Sequence, residues 1–324
     1  MKRALITGIG GQDGSFLADI LLERDYEIFG IVRRGISEAH ENLAHIRHRV
    51  ELFQADLLDQ DSLVDVLRRC RVHEIYNLAS ASFVPMSWQE PVLTANYAAV
   101  GVTSMLEAIR LVDSSARFYQ ASSSEIFGDP VDSPQSELTP LRPHTPYGVA
   151  KAYAHFITSA YRLNYGFYAC SGILYNHESP RRPIDFVPRK IARAAAAIRL
   201  GIENEVVLGD LNARRDWGYA GDYVEAMWLM LQQDSADDYV IATGVTHSVG
   251  ELAELAFGHV GLNWRDHVRT DPALTRGPAE LRNLVGDASK AREKLGWTPS
   301  TSFEELIRIL VDADLERLKA ESVG

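Results

Sequence analysis

Tyr147 and Lys151 stand four residues apart in the stretch Tyr-Gly-Val-Ala-Lys. On a helix that spacing puts both side chains on one face, about one turn apart. A phenol beside an ammonium ionises at lower cost, so a tyrosine of ordinary pKa about 10 becomes a usable base nearer neutral pH. Ser123 and Glu125 follow the apolar run Arg117–Ala121, and the end of such a strand is where an open α/β sheet forms its ligand crevice. Two short stretches thus bring together a base, a cation to tune it, a hydroxyl and a carboxylate. The ten histidines show no HxH or HExxH spacing, so no metal site is expected.

A Tyr-x-x-x-Lys pair alone is common on helix surfaces; the N-terminus gives this one its meaning. Residues 3–7 form a short apolar strand, and Gly8-Ile9-Gly10-Gly11-Gln12-Asp13-Gly14 follows. Next comes a helical run with Phe16, Leu17, Ile20 and Leu21 on one side. Strand, glycine turn and helix in that order form a dinucleotide fingerprint: glycines let the backbone approach a pyrophosphate, and the helix N-terminus offers it unpaired N–H groups. With Tyr147 and Lys151 this points to a nicotinamide enzyme. After the second strand, Tyr26–Val32, an NAD enzyme usually carries an acidic residue for the ribose. Arg33 and Arg34 stand there instead, and two guanidiniums suit the 2′-phosphate of NADP.

Further strands are expected at Val50–Asp56, Glu74–Ala79 and Tyr168–Leu174, with helical runs over 60–70 and 96–112. This alternation predicts an α/β fold with a doubly wound parallel, Rossmann-type sheet. Residues 1–175 are expected to form the cofactor domain, with segments from about 210–245 returning to it. Residues 176–324 would form mainly a smaller substrate lobe. There Arg181, Arg182, Arg189, Lys190, Arg193, Arg214 and Arg215 gather, a cluster suited to a diphosphate-linked substrate. The run from Phe303 to Leu318 reads as a packing helix.

A formal net charge of −11 argues against nucleic acid or an anionic membrane as a partner. No apolar run reaches the roughly 18 residues that span a bilayer. Cys70 and Cys170, a hundred residues apart, read as reduced thiols of a cytoplasmic protein.

Longer motifs carry a resemblance over nearly the whole chain. They are Thr7-Gly8 with Gly11-Gln12-Asp13-Gly14; Tyr76-Asn77-Leu78-Ala79; Phe118-Tyr119-Gln120-Ala121-Ser122; Asn176-His177-Glu178-Ser179-Pro180; Arg215-Asp216-Trp217-Gly218; and Ile241-Ala242-Thr243-Gly244-Val245. In these the chain resembles the extended short-chain dehydrogenase/reductases and, within them, the GDP-mannose 4,6-dehydratase family. The resemblance implies a lyase that oxidises a sugar at C4, removes water across C5 and C6, and returns the hydride to C6. Tyr147 with Lys151 would serve the first step, Glu125 would take the C5 proton, and Ser123 would hold the acid position.

By the same resemblance, NADP contacts fall on Gly8, Gly11, Gln12, Asp13, Gly14, Arg33, Asp56, Leu57, Leu78, Ala79, Tyr147, Lys151, His177 and Arg182. Contacts to the GDP-linked sugar fall on Ser82, Ser87, Asn176, Lys190, Gly209, Arg215, Arg276 and Glu280. A homodimer or homotetramer is implied, with Arg34 near a neighbour's cofactor. The chain departs from the family pattern at Ser123 for Thr, at Gly10, at Gly35, at Ser80-Ala81 and at Arg276-Gly277-Pro278-Ala279-Glu280. The last two lie where substrate binds and leave room for GDP-manno-heptose. A nucleotide-sugar 4-reductase or epimerase, and a sensor without activity, are the other readings.

Overall fold

The computed structural model describes residues 1–33, 41–275 and 284–322. The first half alternates strands and helices. β1 (Arg3–Thr7) leads to α1 (Gln12–Glu23) and β2 (Glu27–Val32); β3 (Val50–Gln54), α2 (Gln60–Cys70) and β4 (Glu74–Asn77) follow. Next come α3 (Val84–Gln89), α4 (Pro91–Ala95), a π-helical turn at Asn96–Val100 and α5 (Gly101–Val112). β5 (Arg117–Ala121), α6 (Pro146–Tyr165), β6 (Ala169–Leu174) and β7 (Asn176–Glu178) complete this half.

The second half contains α7 (Val187–Arg199), β8 (Val206–Leu208), β9 (Arg214–Tyr219), α8 (Ala220–Met230) and β10 (Tyr239–Ile241). β11 (Thr246–Ser248), α9 (Val249–His259), β12 (Val268–Thr270), α10 (Ser289–Leu295) and α11 (Phe303–Glu321) follow.

The main sheet has seven parallel strands in the order β10-β6-β5-β4-β1-β2-β3. Alternation along each strand sends side chains to two separate cores. Ala4 and Ile6, Tyr76, and Tyr119 join the core under α1 and α8; Leu5, Ile75 and Phe118 join the core under α2 and α5. A third core binds α7, α9 and α11 to β8 and β9. β3 ends at Gln54 opposite Val32, and β4 at Asn77 opposite Thr7, each two residues before the expected end. Asp56, Leu78 and Ala79 therefore stand in loops at the carboxyl edge of the sheet, where ligands of such folds bind.

The helix expected at 96–112 starts at Pro91. The whole span Pro91–Val112 is long and apolar enough to cross a membrane, which corrects the expectation that no run would qualify. Half of its most apolar window is buried, and α5 packs against α2 and α6, as a core helix does. Gly101 is required there by close packing: a Cβ would stand 2.9 Å from that of Leu57.

Asp216, in the Arg-Asp-Trp-Gly motif, ties β9 to the main sheet through the exit of β10. Its buried carboxylate accepts from Thr243 N at 2.9 Å, Thr243 Oγ1 at 2.6 Å, Gly244 N at 2.9 Å and Gly286 N at 3.2 Å. One side chain of β9 thereby holds the exit of β10 and the segment before α10. Asp216→Ala should cost about 3–5 kcal/mol, since it strands several donors at once. Asp216→Asn, which keeps one acceptor oxygen, should cost less; urea denaturation of both variants checks the order.

Candidate active site

The Gly-rich turn is built for close approach. Gly8 has φ +68°, and a Cβ on Gly14 would stand 2.4 Å from the Gly8 carbonyl oxygen. Gly11 caps α1 without any side-chain bond to the helix N–H groups, so these donors face the cavity free of an internal cap. The cavity has a volume of about 190 Å³ and opens to solvent. Gly8, Gly11, Gln12, Asp13 and Gly14 line one end of it. Leu78, Ser80, Ser82, Ser123, Glu125, Tyr147, Lys151, Asn176, His177 and Arg182 line the rest. A turn that a Cβ would fill and an uncapped helix start are what a dinucleotide pyrophosphate needs, so the residues fit a nicotinamide cofactor.

Thr145 accepts from Gly148 N at 2.9 Å and Pro146 opens α6, which fixes where the Tyr147–Lys151 face points. Both side chains are buried. The Lys151 ammonium lies 5.6 Å from the centre of the Tyr147 ring and donates to the Ala121 carbonyl at 2.9 Å. Ser123 stands beside the phenol and favours its ionisation, and its own Oγ accepts from Glu125 N at 3.3 Å. Burial pushes the phenol up to about 12, against the Ser123 hydroxyl and the Arg182 charge that favour ionisation; Glu125 adds to the rise. Burial also pulls Lys151 down to about 8, against the pull of Asp13. The expectation of a phenol eased toward neutrality is thus corrected for the protein by itself: desolvation outweighs the neighbouring cation, and Tyr147 holds its proton.

An ion pair joins the cofactor turn to β7. His177 places Nε2 3.0 Å from Asp13 Oδ2 and Nδ1 2.7 Å from the Tyr175 carbonyl. Both partners accept only, so both ring nitrogens carry hydrogen and the imidazole is a cation. Burial lowers the His177 pKa, but the Asp13 charge outweighs it and the net shift is upward. Burial raises Asp13 too, and the His177 charge more than reverses it, holding the carboxyl at about 2. The His177 contribution to stability is complete below its ordinary 6.5 and is lost as pH rises through the raised value. That of Asp13 is complete above 3.8 and is lost as pH falls toward about 2. Gln12 Nε2 donates to the His177 carbonyl at 3.1 Å and Gln12 Oε1 accepts from Ser179 at 2.8 Å. Sequence reasoning names these residues separately and misses the link.

Other expected site residues lie outside this cavity. Arg33 is exposed at the end of β2, its guanidinium 4.8 Å over the Tyr97 ring. Tyr97 donates to Asp56 Oδ2 at 2.9 Å, so the three stand together. Leu57 points into the core. Ala79 backs the glycine turn, its Cα 3.0 Å from where a Gly8 Cβ would be. Ser87 is buried and donates to the Val84 carbonyl at 2.7 Å. Lys190 donates to the Val207 carbonyl at 2.7 Å, Gly209 packs on Leu274, and Arg215 donates to the Arg214 carbonyl at 2.7 Å. Arg34, Arg276 and Glu280, with the departures at Gly35 and 277–279, fall outside the described residues. Tyr175 and Phe186 also line the cavity; neither stands in a position that spacing alone marks.

The basic cluster is corrected in kind. Arg181 pairs with Asp19, Arg189 with Asp314, Arg193 with Glu203 and Arg214 with Glu251. These arginines are engaged by the protein's own carboxylates, while Arg182, 3.3 Å from Glu178 and stacked 3.6 Å over Phe186, reaches the cavity. Among the described residues no group of side chains could hold a metal ion.

Residues 5–310 match the family model for GDP-mannose 4,6 dehydratase. GDP-mannose 4,6 dehydratase 1 of Arabidopsis thaliana is 49% identical over 99% of this chain and 92% of that protein. GDP-mannose 4,6 dehydratase of Homo sapiens is 45% identical over 98% of this chain and 92% of its own length. Among solved structures, the UDP-glucose 4-epimerase of Thermus thermophilus in complex with NAD superposes with TM-score 0.83 at 27% identity, covering 96% of this chain and 98% of that one. The chain belongs to the GDP-mannose 4,6-dehydratase family.

Proposed function

We propose that the protein is a GDP-sugar 4,6-dehydratase that converts GDP-D-mannose to GDP-4-keto-6-deoxy-D-mannose. One observation carries this reading beyond family membership: a carboxylate, Glu125, shares the cavity with a buried Tyr147 and Lys151. A reductase or epimerase needs no such carboxylate, and a sensor needs neither group. When bound, the nicotinamide supplies reversible hydride acceptance.

The chain's own residues handle protons and orientation. Tyr147, with Ser123 beside it, exchanges the proton of the sugar 4-hydroxyl. Glu125 takes the C5 proton, which is acidic only beside a C4 carbonyl, and the C6 hydroxyl leaves as water. Ser123 is the hydroxyl at the place where that leaving group is protonated. Asn176 and Ser82 line the sugar end of the same cavity, and Arg182 brings the positive charge a diphosphate requires.

NADP is the cofactor we favour, on the exposed guanidinium of Arg33 at the end of β2. The same reading extends to a homo-oligomer. α6 turns Val149, Tyr153 and Phe156 outward, and the adjoining helices expose Val92, Leu93 and Val100, an apolar face suited to a second copy. Buried free thiols at Cys70 and Cys170 suit the cytoplasm. The second substrate, GDP-manno-heptose with more bulk at C6, rests on the Ser80-Ala81 and 276–280 departures from the family pattern, of which Ser80 lines the cavity.

Purified protein with GDP-mannose should yield a product lighter by one water; turnover of GDP-manno-heptose alone would move the assignment to the heptose. Glu125→Gln should keep cofactor affinity within about twofold and lower dehydration at least about a hundredfold. Equal activity in that variant would remove Glu125 from the chemistry. Arg33→Ala should weaken NADP binding by about tenfold and leave NAD unchanged, measured by titration calorimetry. Phe156→Asp should shift the protein toward the monomer in sedimentation velocity.

A further inference from the structure

Three polar side chains lie inside the central sheet, where apolar ones would cost less to bury. Thr7, Asn77 and Gln120 are almost fully buried. They sit on adjacent strands in facing register, Thr7 opposite Asn77 and Asn77 opposite Gln120. The Thr7 hydroxyl accepts the N–H groups of Leu78 and Ala79 at 3.0 and 3.1 Å. Its proton is therefore left for Asn77 Oδ1, at 2.7 Å. This turns Asn77 Nδ2 toward Gln120 Oε1, at 2.8 Å. The Gln120 nitrogen then faces the Ala121 carbonyl, at 2.9 Å. Lys151 Nζ donates to that same oxygen, at 2.9 Å. Two backbone amides at one end thus dictate the sense of every bond in the row. Flipping either side-chain amide would leave buried donors facing donors.

The row has two functional ends. Leu78 and Ala79 follow β4, where Ala79 backs the Gly8 turn of the cofactor cradle. Ala121 ends β5 and leads into Ser122 and Ser123, which lies beside Tyr147 in the cavity. We propose that Thr7, Asn77 and Gln120 are positioning residues that hold the Lys151 ammonium at the Ala121 carbonyl and tie its place to the cofactor turn. This rests on the assignment of Lys151 as the cation that serves Tyr147. From the neighbouring elements, Asp13 on α1 is the charge that acts on Lys151, and Tyr147 is the titratable group on its own helix. The β4 and β5 side contributes the neutral amides of the row.

Replacing one of those amides by a carboxylate gives a direct test. In lysine-labelled full-length protein without substrate, NMR titration reads the Lys151 ammonium itself, assigned with Lys151→Arg. In the native protein its midpoint should lie at about 8. Gln120→Glu puts a negative charge beside Nζ and should raise that midpoint by about one unit or more. The alkaline limb of kcat/KM should move up with it. Thr7→Val removes the start of the row and should lower kcat about tenfold at unchanged KM, while Thr7→Ser, which keeps the hydroxyl, should restore it. A midpoint that stays in place in Gln120→Glu would overturn the proposal, as would equal losses in Thr7→Val and Thr7→Ser. If Gln120→Glu does not fold, the Thr7 pair, read by the same titration, decides. Because the titration needs no turnover, it stands apart from the dehydratase assignment. A dehydratase with an unmoved midpoint would sink the row alone.

Discussion

An ammonium buried beneath a sheet edge needs a fixed acceptor, and in this protein the acceptor is one backbone carbonyl, that of Ala121. Most of the site follows from that bond. It sets the separation of Lys151 from the Tyr147 ring and fixes α6 against the end of β5. Ser123 and Glu125 are carried on the next residues of the same strand exit. Desolvation brings the lysine within reach of neutrality and takes the phenol away from it. The protein alone therefore keeps Tyr147 protonated, with Ser123 and Glu125 beside it. The acid–base balance needed for turnover depends on what else enters the cavity.

The second constraint is charge across the cavity. His177 is cationic because both ring nitrogens meet acceptors, and Asp13 is held ionised as its partner. Their pairing brings β7, the last strand of the first half of the chain, onto the first turn of α1. Gln12 and Ser179 reinforce the junction with neutral bonds. Asn176 is thereby placed by the same glycine turn with which it lines the cavity, so the two sides of the cavity are not independent pieces.

Much of this is legible in the sequence, for identifiable reasons. The inner strands β1, β5 and β6 are largely buried on both faces, while the edge strand β3 alternates; their helices read as periodic runs. The glycine turn and the Tyr147–Lys151 spacing are local, and local spacing survives folding. What cannot be read is long-range. The acidic partners of Arg181, Arg189, Arg193 and Arg214 are not neighbours in any motif, so a run of arginines resembles a phosphate site. Asp13 and His177 are separated by 164 positions. The direction of the Tyr147 shift reflects burial, which spacing does not encode. The helix before β5 begins ahead of its expected start because its first turn, at Pro91, precedes the π-helical turn.

The central claim is that a single cavity handles both the C4 and the C5 protons of a GDP-linked hexose. Running the reaction with GDP-mannose in deuterium oxide and reading the product by proton NMR tests it most directly. The account predicts a 6-deoxy-4-keto sugar with deuterium incorporated at C5, introduced through the carboxylate of Glu125. A product formed with its original C5 hydrogen retained, in native protein, would contradict it.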